Sequence, residues 1–308
     1  MSNPKLNPPP MKPLFLLLSL VGALSCFAQI DRPKPPRDLR SYSNGGAMLS
    51  KDMELCVRSY DISKYEAIDT ARVIVSYRKT TVPDRKLARL PNPERMNLFI
   101  GDRTTWFLNV DLALRDSVYT ADKDKGLILQ YGFSFVYRDI PARRIREVIR
   151  VPFAQDQAIF YREPEPDFAW QLGTADTVIC GYRCTDATAT FRGREWRIWF
   201  APELPFSAGP WKLSGLPGLI LRAADRSGMH TYEAVGIRRE TRIIPLYKWH
   251  MKEMTRSKWF ERERKMYENP FPYVDQNTLY HSFGRPVEDA VLNESNWKNA
   301  PYFPLKLE

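Results

Sequence analysis

Two carboxylates, Glu203 and Asp225, bracket a glycine-rich stretch and could form the pair that general acid–base chemistry needs. Each also has a plainer use. Asp225 opens Asp-Arg-Ser-Gly228, where a turn takes an Asx cap, and Glu203 sits between Pro202 and Pro205. His230, His250 and His281 are the only histidines, and their neighbours supply no partner acid. Ser207 and Ser214 lack the G-x-S-x-G setting of an activated nucleophile, and no H-E-x-x-H or phosphate-binding loop occurs. Gly215-x-x-Gly218 lacks the lysine and helix start that a phosphate cradle requires. These absences favour a binding protein without catalytic residues or cofactor over an enzyme.

Cysteine offers one further chemistry. If Val178 to Phe191 is a single strand, Cys180 and Cys184 share a face about 13 Å apart, at about 3.4 Å per residue. A disulfide reaches only about 7 Å between Cα atoms, so the expected bridge joins Cys56 to Cys180 or to Cys184. Cys-x-x-x-Cys without further ligands nearby gives no metal site.

The elements that position these residues centre on Gly209 to Asp225. Pro217 presets φ for a turn, Gly218 suits the positive φ of a type II turn, and Leu219-Ile220-Leu221 reads as a strand buried on both faces. Asp225 to Gly228 turns it into a return partner, Met229 to Ile237. Val73, Val75 and Tyr77 alternate with Ile74, Ser76 and Arg78, a half-buried strand. Phe191 turns through Arg192-Gly193-Arg194 into Glu195 to Phe200, with Trp196, Ile198 and Phe200 on one face and Arg197 and Trp199 on the other. Asp111 to Val118 reads as a short helix. Leu246 to Tyr267, free of Pro and Gly, reads as a long amphipathic one with Tyr247, Met251 and Met254 on one face.

Composition agrees with strands joined by irregular connections: 25 prolines and 13% aromatic residues in 308. The net charge is +10, and Lys5 and Lys12 are the only charges before Gln29, so residues 29–308 carry 44 minus 36, or +8. That balance fits a well-solvated surface or a basic face for anionic envelope components; without a base-reading motif, nucleic acid is not expected. The segment from Lys248 to Lys265 holds seven basic residues and three acids, which suits either a surface helix or one that docks peripherally on an anionic membrane.

Lys12, the apolar run Leu14 to Leu24 and the small residues after it have the layout of a secretory signal peptide, cleaved after Ala28. Translation starts at Met1 or Met11. A lipoprotein reading places Cys26 at the new N-terminus, although Ala23 stands where Leu is usual. The organisation expected is a signal peptide over 1–28, an extended leader over 29–50, a β domain over 51–245, and a helix and tail over 246–308. The protein should be exported, to the periplasm or the periphery of the outer membrane.

The hexapeptide Gly215-Leu-Pro-Gly-Leu-Ile220 resembles the signature of the GLPGLI family, exported proteins of Bacteroidetes. The likeness extends to Phe168-Ala-Trp170, Cys180-Gly-Tyr-Arg-Cys184, Phe191-Arg-Gly-Arg-Glu-Trp196, Pro202-Glu-Leu-Pro205, Asp225 and the ending Pro304-Leu-Lys-Leu-Glu308. It implies a mainly β (α+β) protein: a curved antiparallel sheet or open half-barrel with a C-terminal amphipathic helix. Two functions follow as expectations. One is a non-enzymatic binding protein holding an apolar ligand or lipidated partner in a dry pocket beside Trp196, Trp199, Trp211 and Leu219. The other is an accessory that docks on an outer-membrane receptor or transporter through strand edges or through Lys252, Arg256 and Lys258.

Overall fold

The computed structural model describes residues 57–82, 92–123, 128–129, 134–151 and 158–268. Unit 1–39 of the chain lies wholly outside this set, and unit 40–308 holds every described residue. The expected leader, the tail after residue 268 and Cys56 with its disulfide also lie outside the described residues.

Fourteen strands and two helices follow one another in the described chain. β1 (Val57–Arg58) pairs with β5 (Ile128–Leu129) in a small separate ribbon. The other strands are β2 (Tyr65–Thr81), β3 (Asn92–Gly101), β4 (Thr104–Asn109), β6 (Ser134–Asp139), β7 (Arg144–Arg150), β8 (Ala158–Pro164), β9 (Gln171–Ile179), β10 (Tyr182–Phe191), β11 (Arg194–Ala201), β12 (Leu219–Asp225), β13 (His230–Tyr247) and β14 (Met251–Glu253). They form one twelve-stranded sheet in the order β14-β8-β7-β6-β4-β3-β2-β13-β12-β11-β10-β9. Every pairing in it is antiparallel except that of β14 with β8. Helix α1 (Val110–Ala121) follows β4, and α2 (Arg256–Glu268) follows β14. The fold is therefore mainly β, an open antiparallel sheet not closed into a barrel.

The connectivity makes the sheet curl. β8 is the second strand and β9 the twelfth, yet only residues 165–170 join them. Ten strand spacings in a flat sheet would span about 48 Å. Seven residue steps reach at most about 25 Å. The two ends of the sheet must therefore approach each other, and one face turns inward around a shared core. That core takes Val75 and Tyr77 from β2, Leu98 from β3, Phe107 from β4, Ile145 from β7, Ala187 from β10, and Trp196 and Ile198 from β11.

The opposite face packs Trp106, Leu108, Phe135, Tyr137 and Tyr247 under α1. Asn109 caps that helix, its side-chain oxygen accepting from the Leu112 N–H at 3.0 Å. Asp116, on the inner side of α1, is paired with Arg150 of β7, both 1% exposed. The helix begins one residue before the expected Asp111 and runs three beyond Val118.

Three local readings are corrected. Val178 to Phe191 is two strands, because Cys180 and Gly181 take positive φ (51° and 83°) in a two-residue turn between β9 and β10. The C-terminal helix starts at Arg256, not Leu246: Leu246 and Tyr247 extend β13 against Glu66 and Tyr65, and Met251 pairs with Ala158. Thr255 then caps the helix, accepting from the Lys258 N–H at 3.4 Å. Gly218 does not take positive φ; among the glycines of the hexapeptide only Gly215 does, at 92°.

Candidate functional site

Residues 202–218, between β11 and β12, leave the sheet edge-to-edge pattern and lie within its inward face. Four prolines and several glycines keep this segment from pairing as a strand, and its apolar side chains fill the interior instead. Ala208, Trp211, Leu213 and Leu216 are all buried in the central core. Close contacts pin it at two points. A Cβ on Gly218 would stand 2.4 Å from the Ala201 carbonyl oxygen, and one on Gly209 would stand 2.8 Å from Ile220 Cβ. The glycine at 218 is thus required for close approach rather than for a left-handed turn.

One side chain of this segment carries charge into the interior. Lys212 is 2% exposed. Its ammonium meets Glu147 of β7 at 2.5 Å, donates to the Tyr161 hydroxyl at 3.1 Å, and bonds Glu163 of β8. Tyr161 in turn donates to Glu147. Burial and the two carboxylates push the Tyr161 phenol well above its ordinary range. Glu163 is shared with Arg192, in the β10–β11 turn, at 2.9 Å, and with Arg256 of α2 at 4.0 Å. A second group lies beside it: Glu165 accepts from Ser214 at 3.0 Å and from Arg138 of β6 at 2.7 Å, while the Trp170 indole N–H donates to the Ser214 carbonyl at 2.8 Å.

Chemically this is a filled network. Lys212 has an acceptor for each of its three N–H bonds, both carboxylates are cation-paired, and no side of the ammonium meets solvent. It holds the crossing segment to the far strands of the sheet. Nothing in the sequence near Lys212 signals it, since the partners stand 49, 51 and 65 residues upstream.

The residues singled out by sequence fall in different places. Trp196 and Leu219 are fully buried and Trp211 is 6% exposed. Trp196 packs on Trp211 and Tyr232, with ring centroids 5.9 and 6.4 Å apart. The space beside these residues is occupied by the protein's own segment 202–218, so the expected dry pocket gives way to packed core. Leu216, Ile220 and Leu221 share that burial, as the continuous apolar run requires. Trp199 stands on the other face, half-buried, between Arg197 and Arg222.

Glu203 and Asp225 do not form a pair. Asp225 lies at the far end of β12 from Leu219, about 20 Å along the strand; Glu203 is exposed just beyond the near end. Asp225 is buried, bonded by Arg194 at 2.7 Å and by the His230 N–H at 2.9 Å, and its carboxylate serves the β12–β13 turn. Ser207 receives the Gly215 N–H at 3.1 Å. His250 follows β13, and His281 lies outside the described residues. Cys184 is buried and Cys180 is exposed in its turn. No group of His, Cys, Asp and Glu suited to a metal ion occurs among the described residues.

A solvent-open hollow of about 420 Å³ lies elsewhere, lined by Ile62, Tyr65, Thr241, Arg242, Ile243, Pro245 and Tyr247. Two edges also differ. β14 is three residues long, whereas β9 is nine, with Leu172 and Val178 64% and 65% exposed and no strand beyond it among the described residues. Of the basic residues near α2, Lys252 and Lys258 are exposed, while Arg256 turns in over the Phe260 ring and toward Glu163.

No protein-family model matches the chain, and no curated protein does. Among solved structures, "Structure of PNGF-II in P21 space group" is 12% identical, with 65% of this chain and 34% of that one covered and a TM-score of 0.49. "Structure of PNGF-II in C2 space group" is likewise 12% identical over 65% of this chain and 33% of that one, with a TM-score of 0.47. The chain thus spans about a third of the length of those proteins, and a likeness of this degree assigns nothing to it.

Proposed function

We propose that the protein is a non-enzymatic, exported component of the cell envelope, of the GLPGLI type its hexapeptide resembles, and that it works by docking on a partner protein. One observation carries the choice between docking and carriage of an apolar ligand. The inward face of the sheet, where a carried ligand would sit, is filled by Trp211, Leu213 and Leu216 of the chain itself. Non-enzymatic action is supported by the separation of Glu203 from Asp225 and by the complete pairing around Lys212.

The surface we assign to docking is the β9 edge. Unpaired strand edges recruit further strands, and soluble proteins ordinarily blunt them with shortness, lysine or proline. β14 has the first of these; β9 contains neither lysine nor proline and, although its register against β10 breaks between Leu172 and Asp176, it leaves Leu172 and Val178 exposed. An outer-membrane receptor or transporter is the class of partner that the family resemblance suggests.

The test is native mass spectrometry of the full mature protein, extracted gently from its own envelope, beside a Leu172→Lys/Val178→Lys variant. Both side chains are exposed, so the variant should fold. A stoichiometric complex with one envelope protein, lost in the variant, is expected. A small apolar adduct on the monomer, released by denaturation, would restore the carrier reading; a complex indifferent to the variant would move docking off β9.

A further inference from the structure

The side of β10 to β13 turned away from the core carries a layered group of charge and ring. Arg197 and Arg222 each place a guanidinium carbon 5.0 Å from the Trp199 ring centroid. The two arginines differ in how they are held. Arg197 gives two bonds to Asp186, at 3.0 and 2.9 Å, and Asp186 is only 6% exposed and also accepts the Ala175 N–H at 3.0 Å. A buried carboxylate locked by the irregular part of β9 therefore fixes Arg197 in position. Arg222 is exposed and has no carboxylate partner among the described residues. The residue opposite it on β13, Glu233, is committed to Arg78 at 2.7 Å. Stacking on Trp199 orients the Arg222 guanidinium without consuming its N–H donors.

The ground around this group is partly exposed and hydroxylated. Thr188, Arg197, Ala224, Thr231 and Thr80 are successive partners across five strands, and Asp186, Trp199, Arg222, Glu233 and Arg78 form the neighbouring row. Three arginines here face two carboxylates. Rows that run across five strands suit an extended ligand rather than a small enclosed one. Insertion into lipid would need apolar side chains beside the cations, and none of the strongly exposed large apolar residues lies on β10, β11 or β12.

We propose that this face binds an anionic polysaccharide, one sulfate, phosphate or carboxylate group being taken by Arg222, whose guanidinium Trp199 holds in place. This inference is independent of the β9 edge and of the docking function.

The test measures binding of the full mature chain to dextran sulfate, with neutral dextran and anionic phospholipid vesicles alongside, for wild type, Arg222→Glu and Lys258→Glu. The two substitutions change charge equally, and both side chains are exposed, so thermal unfolding should match wild type. Retention by dextran sulfate but not dextran is expected, with affinity falling about tenfold in Arg222→Glu and little changed in Lys258→Glu, as a charge-assisted contact predicts. Equal loss in both variants would reduce the effect to net charge and overturn the site. Arg222-dependent binding to vesicles without binding to dextran sulfate would overturn the polysaccharide in favour of lipid headgroups. No binding to either would overturn the proposal outright.

Discussion

Arg192 and Glu163 stand 2.9 Å apart, although β8 is the second strand of the sheet and Arg192 turns between the tenth and eleventh. This pair ties together parts of the sheet that strand pairing alone would leave far apart. Lys212 ties the same carboxylate to the segment that fills the interior, so one glutamate joins a far strand, a distant turn and the crossing segment. Charges bridge the opening because the segment's irregular backbone cannot pair with either edge. Buried ionic groups carry a large desolvation cost, which is offset only when every partner is present. Glu163 meets that condition through Lys212 and Arg192, although the Arg192 Nε is itself buried without a hydrogen-bond partner.

Removal of one partner should therefore be more damaging than removal of several. Lys212→Met leaves Glu147 and Glu163 buried without their shared cation, and destabilisation of about 3–5 kcal/mol is expected in urea unfolding. Adding Glu147→Gln should recover part of that loss, because the hydroxyl of Tyr161 can still bond the amide. A double variant less stable than Lys212→Met would show that the carboxylates tolerate the absence of Lys212, and that the segment is held by its apolar contacts alone.

The two glycines of the hexapeptide should respond for different reasons. In Gly218→Ala the new methyl would meet a backbone carbonyl of β11 at 2.4 Å, and backbone cannot swing aside. Overpacking of this kind costs about 1–3 kcal/mol or more. Gly215→Ala meets only ordinary contact, with the nearest atom 3.6 Å away at Trp170 Nε1, and suffers from its φ of 92°, about 1–2 kcal/mol. Thermal unfolding should rank Gly218→Ala below Gly215→Ala; the reverse order would mean that the turn, and not the close approach, sets the need for glycine.

Much of the sheet was legible because its signals are local. The alternation around Val73, Val75 and Tyr77, the apolar run Leu219 to Leu221, and the turns at Arg192-Gly193 and Asp225 to Gly228 all appear where periodicity and turn chemistry put them. The Cys180-Gly181 turn carried a readable sign, glycine at the second of two loop residues, but the β-rich residues on both sides ran together into one strand. Leu246 and Tyr247 became strand because of partners near Tyr65, nearly two hundred residues upstream, and helix-compatible composition yields to such pairing. Lys212 was illegible for the same reason. A lysine between Trp211 and Leu213 reads as a loop residue until the fold brings β7 and β8 beneath it. The misassigned pocket has a related cause: aromatic and apolar residues at strand spacing announce an inward face, not what occupies it.

Alkaline pH should loosen the core, with a first step traceable to Cys184. Burial raises its thiol from the ordinary 9.0 to about 11. Below pH 9 the thiol is protonated in both states and contributes no pH dependence. Between about 9 and 11 the unfolded chain releases its proton first, so the unfolded state binds fewer protons and stability falls as pH rises. The loss from this group is at most on the order of 2 kcal/mol. Tyr77, Tyr137 and Tyr232, whose phenols burial also raises well above 10, extend the decline in the same direction at higher pH. Urea midpoints measured from pH 8 to 11 should drop for the wild type, and Cys184→Ala should flatten the curve between pH 9 and 10 while leaving the later fall in place. An unchanged slope in that variant would mean that the thiol titrates alike in the folded and unfolded chain, and that Cys184 is reached by solvent despite its place beneath the β9–β10 turn.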